Sequence, residues 1–119
     1  MMTIAQQNIL LGIIEQRDTG DGTFAISDKV INHARILIDR IGNDNLTIYP
    51  TYDNSIELSL KYQDPVFKIE ERYTPSRLII LVGDRDIVVK LLSADHSVVY
   101  EQCYDPEDVF SISLNPANI

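Results

Sequence analysis

Residues 28–41 read DKVINHARILIDRI and residues 55–62 read SIELSLKY, and the contrast between these two stretches decides the fold class. The first stretch repeats apolar residues every three or four positions, which is the period of a helix with one buried face. The second stretch alternates apolar and polar residues, which is the period of a half-buried strand. Because the helical pattern comes first and strand patterns follow it, the sequence predicts an α+β fold in a single domain over residues 1–119.

Two N-terminal helices are predicted, and we expect both to pack on one face of the sheet. The helix at about residues 28–41 has Ser27 in the position of an N-cap, and Gly42 is placed to close its C-terminus. The helix at about residues 3–16 has a less regular apolar face. Gly12 weakens it by about 1 kcal/mol relative to alanine.

The remaining chain, about residues 46–115, predicts one antiparallel meander sheet of five to seven strands. Turn signals such as Asp53-Asn54, Thr74-Pro75 and Gly83-Asp84 separate the strand patterns. The connections are too short for parallel crossovers, so neighbouring strands should pair antiparallel. The predicted strands lie at about residues 46–50, 55–62, 66–73, 77–83, 87–93, 98–104 and 109–115.

Two of these strands are apolar without alternation, which indicates that both of their faces are covered. The runs are Leu78–Val82 and Ile87–Val89, and Leu91 and Leu92 continue the second run. The helices cover one face of the sheet. For the other face we expect a strongly curved sheet that closes on itself, and a loop or a second protein, such as a second copy in a dimer, is the alternative.

Charge limits the classes of partner. The 119 residues contain 18 acidic and 10 basic side chains, which gives a net charge of −8. This balance argues against direct binding of nucleic acid, because that affinity depends on lysine and arginine neutralising phosphates. Residues 83–119 contain seven of the acidic residues and two of the basic ones, so the negative charge is concentrated there.

Several features bear on the compartment. Cys103 is the single cysteine, which excludes an intramolecular disulfide and a cysteine-based zinc site. No apolar run approaches the ~18 residues of a membrane span. Residues 1–7 lack the basic region of a signal peptide. We therefore expect a cytoplasmic protein without membrane association, and no motif predicts a cofactor or a metal.

The two histidines, His33 and His96, give no catalytic pattern. His33 falls at the edge of the apolar stripe of the second helix, which is typical of a boundary residue. His96 lies between Asp95 and Ser97, but neighbouring side chains on a turn diverge and a catalytic triad needs them to converge. The paired carboxylates Glu70-Glu71, Asp84/Asp86 and Glu107-Asp108 are interpreted as solvated surface.

The acidic loop at residues 18–23 suggests two kinds of site. A calcium loop with Gly22 at its sixth position places Arg17 at the first, where a cation repels the metal. Asp18-Thr19-Gly20 resembles the signature of retroviral-type aspartic proteases, which implies Asp18 as a catalytic carboxylate in a dimer. That family leads into the motif with an apolar strand, whereas Glu15-Gln16-Arg17 is polar here.

Tyrosines and acids near the end of the chain form the strongest candidate for a binding site. Tyrosine is enriched at interaction hot spots because it buries a large area with little loss of rotamer freedom. Two tyrosines share one face of the strand at 98–104, and four acids flank them. The candidate partner-binding residues are Tyr100, Glu101, Tyr104, Asp105, Glu107 and Asp108.

The stretch Ile48–Leu58, which follows the helix containing Ala34–Ile38, resembles a group of small uncharacterised prokaryotic proteins. In that group a helix precedes a Pro-Thr-x-Asp-Gly hairpin, and here Pro50–Asp53 supplies the motif while Asn54-Ser55 replaces the glycine turn. The likeness covers about thirty residues. It implies a helix laid on an antiparallel sheet and assigns no catalytic residues.

Together these features favour a small acidic cytosolic protein that acts by protein–protein contact. An antitoxin, an immunity protein or an inhibitor of a host factor works in this way on a basic partner. One alternative is a self-assembling structural or phage-derived subunit that associates through the apolar strands at 78–92. The other alternative is a small-molecule binder or an enzyme, including the aspartic protease with Asp18.

Overall fold

The computed structural model describes residues 2–19, 25–51, 53–61, 75–93 and 95–112. Within these ranges the chain forms two helices, five strands and one short 3₁₀ helix. The predicted strand at 66–73 and the Glu70-Glu71 pair lie outside the described residues. The elements are α1 (Ile4–Asp18), α2 (Asp28–Ile41), β1 (Thr47–Pro50), β2 (Ile56–Lys61), β3 (Pro75–Val82), β4 (Ile87–Ser93), β5 (Val98–Tyr104) and the 3₁₀ helix (Pro106–Asp108).

Local chemistry fixes the ends of both helices. Thr3 and Gln6 form a reciprocal capping box at the start of α1, which runs two residues beyond the predicted end. At the start of α2 the Ser27 hydroxyl accepts a hydrogen bond from the Val30 N–H at 3.2 Å. Gly42 closes α2 with a φ of 62°, a left-handed angle that glycine adopts without steric cost. The predicted caps of α2 are confirmed.

The five strands form one antiparallel sheet in the order β1-β2-β3-β4-β5, which confirms the α+β fold and the meander. The expectation of a strongly curved sheet that closes on itself is wrong. Among the described strands β1 and β5 lie at opposite edges and are not paired with each other. Both helices contact the sheet, α1 at β1 and α2 at β2 and β3, so the core forms between two layers.

Alternate residues of the three central strands enter the core with the buried residues of the helices. Leu58, Ile80 and Val89 are fully buried there, as are Val30 and Leu37 of α2. The intervening residues of β3 and β4 point to the opposite face of the sheet. They include Ile79, Leu81 and Val88, which are half-buried. The uninterrupted apolar runs therefore divide between a core face and a second face, which we call the open face.

The predicted strand at 109–115 is wrong over its described part. Asp105 caps a 3₁₀ helix, and Pro106 occupies its first turn, where a missing N–H costs nothing. Residues 109–111 continue as a turn. Val109 and Ile112 are buried because their spacing of three residues places both side chains on the inner side of this turn. We call residues 105–112 the C-terminal turn.

Candidate functional site

The strand that carries the candidate binding residues is an edge of the sheet. β5 pairs with β4 on one side, and no described strand pairs with its other side. In this pairing Tyr100 lies opposite Leu91 and Tyr104 lies opposite Ile87. Leu91 and Ile87 are fully buried, so both tyrosines lie on the core face. The prediction that they share one face is confirmed.

The two tyrosines are part of the packing as well as of the surface. Each is half-buried and packs against the core cluster. Burial raises the pKa of the Tyr100 hydroxyl, and a hydrogen bond with Tyr104 raises it further. These side chains therefore offer a partner only their outer edges.

Glu101 lies on the other face of the sheet from the tyrosines. It is opposite Lys90, and the two side chains form an ion pair at 3.5 Å. An exposed pair of this kind contributes about 0.2–1 kcal/mol to stability. The predicted patch is thus divided by the strand, with the tyrosines on the core face and Glu101 on the open face.

The other three acids lie in the C-terminal turn. The Asp105 carboxylate accepts a hydrogen bond from the Glu107 N–H at 2.9 Å, which caps the 3₁₀ helix. Glu107 and Asp108 are exposed, and neither forms an ion pair with a described residue. These three carboxylates therefore present negative charge next to the end of β5. We call Asp105, Glu107 and Asp108 the terminal acids.

A long-range contact holds the C-terminal turn in place. The Arg40 guanidinium of α2 donates to the Val109 carbonyl and to the Ile112 carbonyl, both at 2.8 Å. The fork of the guanidinium suits two acceptors at once, and each carbonyl gains a charge-assisted hydrogen bond. Sequence analysis did not assign this role to Arg40, because nothing local marks a contact across about seventy residues.

The hairpin between β4 and β5 is fixed by Asp95. Its carboxylate accepts from the Ser93 hydroxyl and from the Ser97 N–H, the latter at 3.0 Å. These hydrogen bonds lower the pKa of Asp95 to about 2. His96 takes a left-handed φ of 67° in the same turn, as predicted for a turn residue.

The remaining candidates are dispersed. His33 is half-buried on α2, at the boundary where it was predicted, and its Nδ1 has no hydrogen-bond partner among the described residues. Asp18 is the last residue of α1 and accepts from the Arg17 Nε at 3.0 Å. Gly20 to Gly22 of the acidic loop lie outside the described residues. No group of three or more potential metal ligands occurs in the part of the chain that the structure describes.

Two further surface features lie outside the predicted binding patch, a free thiol and a groove. Cys103 is a free, exposed thiol on the open face, opposite Val88. A groove of about 190 Å³ lies between the helices, and Leu10, Leu11 and Arg35 line it together with Met2 and Gln7. In the ranges that the structure covers, no helix is long and apolar enough to cross a membrane.

Comparison with protein-family models, curated proteins and solved structures found no match for this chain.

Proposed function

We propose that this protein is a small cytosolic binding protein that recognises a basic protein partner, as an antitoxin, an immunity protein or a host-factor inhibitor does. The observation that carries the proposal is the position of the terminal acids, which are exposed beside the free edge of the sheet. Acidic surfaces accelerate encounters with basic partners and favour them over acidic ones. The single exposed thiol of Cys103 suits a reducing compartment such as the cytosol.

The test compares two variants of equal net charge. In the first, the terminal acids are neutralised by Asp105→Asn, Glu107→Gln and Asp108→Asn, and asparagine at 105 still caps the 3₁₀ helix. In the control, three exposed acids elsewhere are neutralised by Glu15→Gln, Asp18→Asn and Asp44→Asn. Glu15 and Asp18 lie on α1, and Asp44 precedes β1 at the opposite edge of the sheet.

Each protein is tagged and used to capture proteins from extracts of the native organism at low and moderate salt. We expect one stoichiometric basic partner on the wild-type protein and on the control variant. The terminal-acid variant should lose this partner, and rising salt should weaken the capture. Equal capture by both variants would contradict the proposal. The control also tests the protease alternative, because a proteolytic activity that survives Asp18→Asn excludes Asp18 as its catalytic carboxylate.

A second candidate function is self-assembly through the open face. Ile79, Leu81 and Val88 lie together there on two neighbouring strands and are half-buried. Apolar residues on the second face of an antiparallel sheet suit an interface between copies. Light scattering at micromolar concentration distinguishes the two functions, because self-assembly requires a dimer or a larger species and the binding function is compatible with a monomer.

A further inference from the structure

The two edges of the sheet differ in how they are protected. β1 has four residues, ends on Pro50, which has no N–H to donate, and contacts α1. β5 has seven residues and no proline. Natural proteins protect exposed edge strands with prolines, bulges or charged side chains that point into the sheet. Of the two edges, β1 has the stronger protection.

The one backbone irregularity of β5 lies at its start. A register irregularity lies between Leu91 and Leu92, opposite the first residues of β5. Glu101 forms an ion pair with Lys90 on the open face. From Tyr100 to Tyr104 the core face carries no charge. The Gln102 side-chain amide donates to the neighbouring Cys103 carbonyl at 3.3 Å, so a side chain satisfies an acceptor of the edge strand itself.

We infer that the outer edge of β5 binds an extended segment of the basic partner as a sixth strand of the sheet. This inference rests on the proposed function and states how the partner is recognised. Main-chain hydrogen bonds give such a complex its affinity, and alternate side chains give it specificity. Every second residue of an edge strand turns its N–H and C=O outward, so β5 offers a row of main-chain groups that no described strand pairs with, although the Cys103 carbonyl already accepts from the Gln102 side chain.

Charge sets the direction and the composition of the added strand. The terminal acids follow Tyr104, at the C-terminal end of β5. If the added strand is antiparallel, like every other strand of this sheet, its N-terminal end lies beside them. The segment that fits therefore has basic residues first and a β-prone stretch after them. Its alternate apolar side chains lie beside Tyr100 and Tyr104 on the core face.

A second copy of this chain is disfavoured as the occupant because each copy carries a net charge of −8, and one register adds a specific repulsion. In an antiparallel β5–β5 pair centred on Glu101, the two Glu101 residues lie opposite each other. The same register brings Asp95 of each copy toward Glu107 of the other. Like charges directly opposite each other destabilise a strand pair.

The probe is a synthetic peptide, acetyl-Lys-Arg-Lys-Gly-Thr-Val-Thr-Val-Thr-Val-amide, titrated calorimetrically into the full chain. Two derivatives carry N-methyl groups, one on the threonine amides and one on the valine amides. Only one of these sets can face β5. We expect one derivative to bind about tenfold or more weakly than the parent, because it loses main-chain hydrogen bonds, and the other to bind like the parent. Equal affinities for both derivatives would overturn the inference, as would a parent peptide that does not bind.

The matched protein variants are Gln102→Lys and Gln16→Lys. Both residues are exposed and the change in net charge is the same, but Gln102 lies in the middle of β5 and Gln16 lies on α1. Lysine at an edge strand blocks the addition of a further strand. We expect Gln102→Lys to weaken the peptide about tenfold and Gln16→Lys to leave its affinity unchanged. Equal losses of peptide affinity in the two lysine variants would mean that net charge alone holds the peptide, and would overturn the inference.

The failure of this inference and the failure of the proposed function give different results. If the terminal-acid variant loses the captured partner while Gln102→Lys retains it, the edge is not the binding site and the proposed function stands. If the terminal-acid variant retains the partner, the proposed function fails. We expect both the terminal-acid variant and Gln102→Lys to lose the captured partner.

Discussion

The two edges of this sheet end in different ways, although both are formed by hairpins with similar turn chemistry. At the first edge, β1 is short, contains proline and contacts α1. At the second edge, β5 is nearly twice as long and continues into a turn that Arg40 of α2 holds from a distance. The difference teaches that a long edge strand can keep one side unpaired with any described strand even where the chain that follows it is firmly attached to the core.

The largest expected effect is on the attachment of the C-terminal turn. Ile112 is 1% exposed and belongs to the core cluster, whereas Phe110, two residues away, is 71% exposed. Ile112→Ala should lower the free energy of unfolding by about 2–5 kcal/mol, because it removes buried methyl groups and leaves a cavity. Phe110→Ala is the control and should change it by less than about 0.5 kcal/mol. Urea denaturation measures both, and equal losses would show that the turn is not attached as described.

A second prediction compares one tyrosine from each edge. Tyr100 of β5 is half-buried against the core, and Tyr49 of β1 is 38% exposed with its hydroxyl donating to Glu57. Tyr100→Ala should cost about 1–3 kcal/mol of unfolding free energy, because apolar area is lost from the core boundary. Tyr49→Ala should cost under about 1 kcal/mol. A larger loss of unfolding free energy in Tyr49→Ala than in Tyr100→Ala would contradict the stated difference between the two edges.

The third prediction concerns the hydrogen bonds of Arg40. Arg40→Met keeps an unbranched apolar chain and removes both donors, so it should cost about 1–2 kcal/mol of unfolding free energy. Arg35→Met removes a cation from the same helix and should change the stability by less than about 0.5 kcal/mol. Thermal unfolding of both variants tests the difference. Indistinguishable midpoints would mean that the contact with the two carbonyls contributes nothing.

The smallest expected effect is electrostatic and compares the hairpin turns next to the two edges. Hydrogen bonds lower the pKa of Asp95 in the β4–β5 turn to about 2, chiefly the one from Ser93. A hydrogen bond from Thr51 likewise lowers the pKa of Asp53 in the β1–β2 turn. Because both folded-state values lie below the unfolded value of 3.8, each carboxylate stabilises the fold above about pH 4. This stabilisation is lost as the pH falls through the folded-state value.

Carbon-13 NMR of the carboxyl groups measures both titrations. We expect Asp95 to titrate near pH 2 and Asp53 to titrate below 3.8. The reference is the unfolded-state value of 3.8. Midpoints of 3.8 for both Asp95 and Asp53 would show that neither turn depends on its carboxylate.

Much of the fold was predictable because its signals are local. The caps at Ser27 and Gly42 and the alternation of the strands depend on neighbouring residues. The final strand was predicted wrongly because Phe110, Ile112 and Leu114 alternate with Ser111 and Ser113 in the sequence, which is a strand pattern. Only the cap at Asp105 and the contact with Arg40 distinguish a turn. Sheet closure depends on which strands meet across the fold, and no short-range pattern records that.

The candidate site was predicted in part. Alternation placed Tyr100 and Tyr104 on one face, as observed, but the predicted patch grouped Glu101 with them, and the structure places Glu101 on the other face. That β5 lies at the edge of the sheet was not predicted, because the predicted strand at 109–115 would follow it in the meander, whereas residues 109–111 form a turn. The contact that holds the C-terminal turn, and with it the terminal acids, was not predictable. Arg40 donates from α2 to two carbonyls of the turn that lie about seventy residues later in the sequence.

The most direct test of the β5 edge as the binding site is amide hydrogen exchange, residue by residue, with and without the basic Thr-Val peptide described above. On binding, we predict that exchange slows at alternate amides of Val98–Tyr104 and is unchanged in Thr47–Pro50. Slowed exchange in β1 instead, or at neither edge while the peptide is bound, would contradict the assignment of the binding site to β5.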